Sequence, residues 1–362
     1  NHVGFDYSHI LAATQDRVPT VYIENGHVVN LDPNDPILVD YEKNFEGEPT
    51  GLDNPELLTM KWHHGHNNSI VNGIPRIGFM KGGEKAKWSD IDMADHFLEK
   101  GKAYIQEKSK SEQPFFLFFP MQQPHVPRTP HPRFEGKSGM GPRGDAILEA
   151  DWVIGELLKT LEEEGILENT LIVFSSDNGP VLNDGYYDDA VEKLGDHTPA
   201  GPLRGGKYSL FEAGTRVPFI TYWKGEIQPG VSNAMVTQID LMNSLAALVG
   251  SSERGPDSQN LLDAFLGKSD KGRDAVILEA TSRTALRVGE WAMIPPYKGP
   301  AIQNQVNIEL GNSSEYQLYN LSEDPGQQTN LATSNPDKLE EMKQIYAKLR
   351  GGNVKIEQLE LK

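Results

Sequence analysis

The sequence predicts an α/β fold, a mixed sheet flanked by helices, followed by a small α+β subdomain. Three observations predict it. Leu171-Ile172-Val173-Phe174 is an apolar run that stops at Asp177-Asn178-Gly179. Such a run reads as a strand buried on both faces, as in a parallel sheet. Asp145–Glu164, just ahead of it, carries Ile147, Trp152, Ile154, Leu157, Leu158 and Leu161 at helical spacing. Ahead of that helix, Pro114–Pro120 (PFFLFFP) reads as another buried strand. Strand, helix and strand in that order argue for parallel strands joined by a crossover.

Each element follows from its residues. Val18–Val29 reads as a hairpin with Asn25-Gly26 at its turn. Tyr41–Gly83 is polar and loop-like. Ser89–Lys108 predicts a helix capped by Ser89 or Asp90, with Ile91, Ala94, Phe97, Leu98 and Ile105 along one stripe. Gly165 ends the next helix. Val181–Pro202 is a loop rich in Asp and Gly, Phe219–Trp223 a strand, and Thr237–Val249 a helix ending at Gly250. Ala275–Leu278 is expected to be the last strand of the main sheet. From Ser282 the character changes. Ala285–Val288 and Tyr316–Tyr319 read as short strands, and Asp337 to about Leu349 as a charged helix. The expected division is therefore a main domain over 1–281 and an antiparallel subdomain with a packed helix over 282–362.

Net charge is -18 over 362 residues, which argues against a nucleic-acid partner, whose phosphates need basic neutralisation. An anionic substrate has to be drawn in by a local positive cluster. The cysteine count of 0 excludes disulfides, thiolate metal sites and a Cys nucleophile. No apolar run reaches membrane-spanning length.

The chemistry-bearing stretches come at strand ends and in Gly-rich loops. Asp177 and Asn178 fall where a strand stops, and ligands of open α/β sheets bind at that end. Two oxygen-bearing side chains there are candidate ligands for Ca²⁺ or Mg²⁺, although Asp-Asn-Gly is also ordinary turn chemistry. Leu203-Arg204-Gly205-Gly206-Lys207 puts a Lys on a Gly-rich loop suited to a tetrahedral oxyanion. His125 lies between Pro124 and Pro127 after the PFFLFFP run. Lys61-Trp62-His63-His64-Gly65-His66 gathers three histidines that could bind a transition metal, but no regular spacing orients them.

Taken together, FFLFFPMQQPHVP (115–127), IVFSSDNGP (172–180), LRGGKYSLFEAGTRVPF (203–219) and YQLYNLSEDPGQQTNLA (316–332) resemble the sulfatase family. The resemblance runs along essentially the whole chain. It implies an alkaline-phosphatase-like fold and hydrolysis of a sulfuric ester on a sulfated carbohydrate or aryl compound. It implies that Asp177 and Asn178 are metal ligands, for Ca²⁺ in preference to Mg²⁺. It implies that His125 touches the sulfate and protonates the leaving alcohol, and that Lys207 holds the sulfate. His197 and Arg204, on the same loop system, are candidate substrate-binding residues, and Arg204 could equally pair with an acidic neighbour. Arg216 is expected to brace the 214–218 turn. Arg128, Arg133, His131 and Asp196 are candidate specificity residues by proximity in sequence. A periplasmic or secreted home is implied by the resemblance alone.

The family's nucleophile is a formylglycine made from a Cys/Ser-x-Pro/Ala-x-Arg motif, and this chain contains none. The family's Asp-Asp-x-Gly element is also missing. Asp188-Asp189 is out of place for it and reads as surface loop. Lys61-Trp62-His63 imitates the family's Gly-Lys-Trp-His but follows Gly4-Phe5-Asp6 when it should precede it, so Lys61 and His63 are expected to be decoys. The expectation is a lost segment ahead of Asn1 that carries the formylglycine, and no turnover of sulfate esters by these 362 residues alone. The rival readings are a phosphate or phosphonate ester hydrolase of the same superfamily, and a non-catalytic sulfate- or glycan-binding protein.

Overall fold

The computed structural model describes residues 4–351. These residues form two units. The first holds everything up to Leu167 together with Leu182–His197. The second holds Glu168–Val181 and everything from Thr198 onward.

The first unit begins with a small antiparallel sheet of β1 (His9–Leu11), β2 (Tyr22–Glu24) and β3 (His27–Val28). The expected hairpin is its second half, with Glu24 opposite His27. Asn25 and Gly26 supply the two positive φ values, 50° and 84°, that such a two-residue turn requires. Four short strands follow: β4 (Leu38–Asp40), β5 (Ile70–Val71), β6 (Ile74–Pro75) and β7 (Phe79–Lys81). β5 pairs with β6 and β4 with β7, all antiparallel. Two helices form the unit's other half, α1 (Met93–Lys108) and α2 (Gly141–Glu163). They meet through Ala94, Leu98 and Val153, with Phe119, Trp152 and Leu157 packed alongside.

Three expectations change here. α1 starts at Met93 because Asp90 does not cap it. The Asp90 carboxylate accepts bonds from Arg76, Asn72, Gln15 and Trp88 instead. The buried face of α2 is Ala146, Ala150, Val153 and Leu161, with Ile147 and Ile154 only half-buried. PFFLFFP forms no strand. Phe116 and Phe118 are 62% and 65% exposed, and among the described residues no neighbouring backbone pairs with this run. Apolarity signals that a segment wants cover; a strand also needs a partner's N–H and C=O groups.

In the second unit, β8 (Ile172–Ser175) pairs antiparallel with β9 (Phe219–Tyr222), and all four β8 residues are half-buried. The parallel, doubly buried strand expected there is thus an antiparallel, half-covered one. α3 (Asp240–Leu248) and the single-turn α4 (Leu262–Phe265) follow. β10 (Ala275–Ala280), β11 (Arg283–Val288) and β12 (Trp291–Ile294) lead on to β13 (Ile302–Gln303), β14 (Ile308–Glu309) and β15 (Gln317–Asn320). A four-stranded antiparallel sheet runs in the order β10-β11-β12-β15, with β13 paired to β14 apart from it. The boundary drawn at 281/282 therefore falls in the turn between two paired strands, where Ala280 faces Arg283. α5 (Pro336–Leu349) covers this sheet, burying Met342 against Leu286, Met293 and Leu318.

Candidate active site

Asp177 and Asn178 arrive at the end of β8, on a turn that Gly179 closes. The Gly179 N–H donates to the Gly214 carbonyl at 2.9 Å. A Cβ at Gly179 would lie 1.6 Å from the Ala213 carbonyl oxygen, so only glycine allows this approach. Asn178 donates its side-chain amide to the Gly179 carbonyl at 3.0 Å, which leaves its Oδ1 as the acceptor end. One Asp177 oxygen accepts the Asn178 backbone N–H at 2.8 Å.

The Gly-rich loop is fastened to the same turn. The Lys207 N–H donates to the Pro180 carbonyl at 3.0 Å, and the Ala213 N–H to the Arg204 carbonyl at 3.0 Å. Tyr208 is held at φ 77°, a left-handed conformation that costs a bulky residue about 1–3 kcal/mol and gathers at ligand sites. Asp177, Asn178, Lys207, Tyr208, Thr215 and Glu279 line one hollow of about 200 Å³. Its charged groups are two carboxylates, Asp177 and Glu279, against one ammonium. An anion alone is repelled by that balance. Glu279 went unnoticed in the sequence; the signal available was a lone charge in the otherwise apolar strand AVILEA.

Asp177 and Asn178 offer hard oxygen donors, the chemistry that calcium selects. Two side chains are too few, because calcium takes about six to eight oxygens. Among the described residues, no three His, Asp or Glu side chains gather as a metal-binding group.

Arg204 is committed within its own unit. Its Nε and Nη2 donate to the two Glu309 oxygens, both at 2.7 Å, and its Nη1 to the Gln327 carbonyl at 2.7 Å. Its guanidinium also lies 4.1 Å from the Phe211 ring centre. Of the two expectations for Arg204, the structure shows the acidic neighbour. The Glu309 bond holds the arginine above its ordinary pKa and the glutamate below its own. Arg216 ion-pairs with Glu212 at 3.5 Å, beside the turn it was expected to brace.

His125 and His197 belong to the first unit. His125 Nδ1 lies 2.8 Å from the Val126 carbonyl, an acceptor only, so that nitrogen carries the proton. Glu149, buried in α2, holds the loop around it. One of its oxygens accepts from the Gln123 amide at 3.1 Å and the other from the His131 N–H at 2.9 Å. Burial raises the Glu149 pKa against the pull of those two bonds. Arg128 adds a third tie, donating from Nε to the Pro124 carbonyl at 3.0 Å. Asp16 lies within Coulombic reach of His125. Burial would raise the Asp16 carboxyl, but hydrogen bonds from His66 and Thr14 and the charge of His125 bring it down to about 2. His197 is exposed.

The specificity candidates serve the scaffold. Arg133 pairs with Asp95 at 2.8 Å and stacks on Trp152, and His131 accepts the Arg133 N–H. Arg128 pairs with Asp188 at 2.8 Å, both nearly inaccessible. Asp188 is therefore a buried partner, contrary to its surface-loop reading, while Asp189 is exposed. His63 and His64 bond each other at 2.7 Å, and His66 bonds Asp16 at 3.0 Å, so the three histidines face different partners.

A sulfatase family model matches residues 8–251. The chain belongs to the sulfatase family. It is similar to an N-acetylgalactosamine-6-O-sulfatase of Bacteroides thetaiotaomicron, 48% identical over 96% of this chain and 68% of that protein. It is 29% identical to human arylsulfatase A over 67% of this chain and 50% of that protein. A solved structure from work on the metabolism of multiple glycosaminoglycans by Bacteroides thetaiotaomicron superposes with a TM-score of 0.93. It is 48% identical, covering 96% of this chain and 73% of that one. A Pseudoalteromonas sulfatase structure superposes with a TM-score of 0.58 at 26% identity, covering 72% and 53%. This sulfatase thus has the α/β, alkaline-phosphatase-like fold of the family. Sulfatases are hydrolases of sulfuric esters. No helix among the described residues is long and apolar enough to cross a membrane.

Proposed function

We propose that this sulfatase acts on a 6-O-sulfated N-acetylgalactosamine within a sulfated glycan. The observation that carries the reading is 48% identity over 96% of the chain to a protein of that specificity. The hollow of Asp177, Asn178, Lys207 and Glu279 is the sulfate end of the site. Lys207 holds a sulfate oxygen. Asp177 and Asn178 would contribute two oxygens to a calcium ion, which supplies positive charge against the sulfate oxygens when bound. The surplus of carboxylates in the hollow supports this, since an anion needs a cation to enter there.

His125 is the proton donor to the leaving alcohol in this reading. With Nδ1 pointed at the Val126 carbonyl, the ring's Nε2 is the nitrogen that would carry the transferred proton. The loop ties from Glu149 and Arg128 fix where that ring stands. Arg204, paired with Glu309, is not assigned a substrate contact in this reading. His197 is kept as a candidate on sequence grounds. A polymeric sulfated glycan does not cross a membrane unaided, which supports a periplasmic or secreted setting.

Binding by the 362-residue chain tests the reading. Isothermal titration in calcium buffer is expected to give 6-O-sulfated N-acetylgalactosamine at least tenfold higher affinity than the 4-O-sulfated isomer or the 6-phosphate. Equal affinity for the 6-phosphate would favour a phosphate ester hydrolase. Equal affinity for the 4-sulfate would remove the positional assignment.

A further inference from the structure

Arg143 stands on the first turn of α2 and is 6% exposed. Among the described residues its guanidinium has no hydrogen-bond acceptor and no ion-pair partner; the charges it feels are those of Arg128 and Asp188. Asp188 is already taken. One of its oxygens accepts from Arg128 Nη1 at 2.8 Å and the other from the Ala190 N–H at 3.2 Å. The carboxylate whose charge reaches Arg143 is therefore already committed to Arg128. The other buried arginines behave differently: Arg76 pairs with Asp90 at 2.7 Å, and Arg128 with Asp188.

A guanidinium cannot release its proton, so it cannot escape the cost of burial by becoming neutral. Burial and the neighbouring Arg128 both weigh against the Arg143 charge. The first turn of α2 adds to the imbalance. Met140 makes no cap bond there and the turn holds no acidic residue, so its N–H groups lack a side-chain acceptor.

We propose that Arg143, backed by Arg128 and the first turn of α2, is a second anion-binding site, which takes a carboxylate or sulfate of the glycan other than the ester being cleaved. Arg128 also ties the carbonyl of Pro124, the residue before His125, so the site adjoins the loop that carries the proton donor. The identity of the ligand rests on the sulfated-glycan reading; the anion site stands without it.

Sodium sulfate titrated into the full chain bearing Lys207→Ala isolates this site from the hollow. Adding Arg143→Gln to that chain is expected to weaken sulfate binding at least tenfold, and equal affinities overturn the site. Thermal unfolding in anion-poor buffer gives a second readout. Arg143→Gln alone is expected to raise Tm by a few degrees, because it removes an uncompensated charge. A lower Tm would make Arg143 a structural residue and overturn the proposal. Two disaccharides identify the source, one joining 6-O-sulfated N-acetylgalactosamine to a uronic acid and one joining it to a second sulfated sugar. The one whose affinity falls at least tenfold with Arg143→Gln carries the group recognised; no fall in either overturns the glycan assignment. The 6-O-sulfated monosaccharide has a single anion and is expected to bind both forms alike. Its failure to bind the unmutated chain would sink the sulfatase reading, not the Arg143 site.

Discussion

At Gly179 there is no room for even a methyl group, and the consequence is measurable. Gly179→Ala is expected to destabilise the chain by more than about 3 kcal/mol, because its Cβ would strike a backbone oxygen that cannot move aside alone. Chemical denaturation checks this, and a loss below about 1 kcal/mol would contradict the packing described. Asp16 gives a pH-dependent counterpart. Its carboxyl is brought from 3.8 to about 2 in the folded state. A depressed carboxyl stabilises above its unfolded pKa and loses that contribution as pH falls. Asp16 is therefore worth about 2 kcal/mol above pH ~4, fading between pH ~4 and ~2. Urea unfolding of the wild type and Asp16→Asn at about pH 6 and about pH 2.5 should show the gap close; a constant gap refutes the ion pair's role. At this scale the sequence was legible where backbone geometry limits the choice of residue. Asn25-Gly26 announced its turn because few residues tolerate two positive φ values. Arg204 was not legible, because nothing in its own stretch announces Glu309, a strand more than a hundred positions later.

Among the elements, α2 both packs the first unit and holds the His125 loop through Glu149. Burial raises the Glu149 carboxyl, so the sign is opposite to that of Asp16. Its contribution is full below the ordinary glutamate value and is lost as pH rises through the folded one. Glu149→Gln should therefore be tolerated and gain relative stability toward neutral pH. Glu149→Ala should lose about 2–3 kcal/mol, because Gln123 and the His131 N–H lose their acceptor. Thermal unfolding across pH separates the two variants, and equal losses would contradict the clamp. In α5, Met342→Ala should cost about 2–4 kcal/mol, since Met342 is fully buried among Leu286, Met293 and Leu318. A loss under about 1 kcal/mol by chemical denaturation would place α5 outside the second unit's core. Helix α5 was readable as a charged helix from Asp337 to about Leu349. The stripe of α2 was read in part: Trp152, Leu157 and Leu161 do pack, but the buried Ala146, Ala150 and Val153 were passed over for the half-buried Ile147 and Ile154. PFFLFFP was misjudged because apolar composition guarantees neither cover nor a pairing partner.

Over the whole molecule, a body of charge -18 admits an anionic substrate through local features. The hollow that holds Lys207 has more negative than positive groups, so cation and sulfate are expected to enter together. Two oxygen ligands hold calcium weakly, and titration of the 362-residue chain should give millimolar affinity; micromolar binding would mean a fuller ligand set than Asp177 and Asn178. Family and fold were legible from four motifs in order. The site was legible only in part, because Glu279 and Arg143 lie in no motif and gain meaning through their neighbours in space. The most direct measurement is the affinity of 6-O-sulfated N-acetylgalactosamine for the chain with and without Lys207→Ala, by isothermal titration in calcium buffer. Lys207 as a sulfate holder predicts at least a tenfold loss. Unchanged affinity would show that the sulfate does not bind in this hollow.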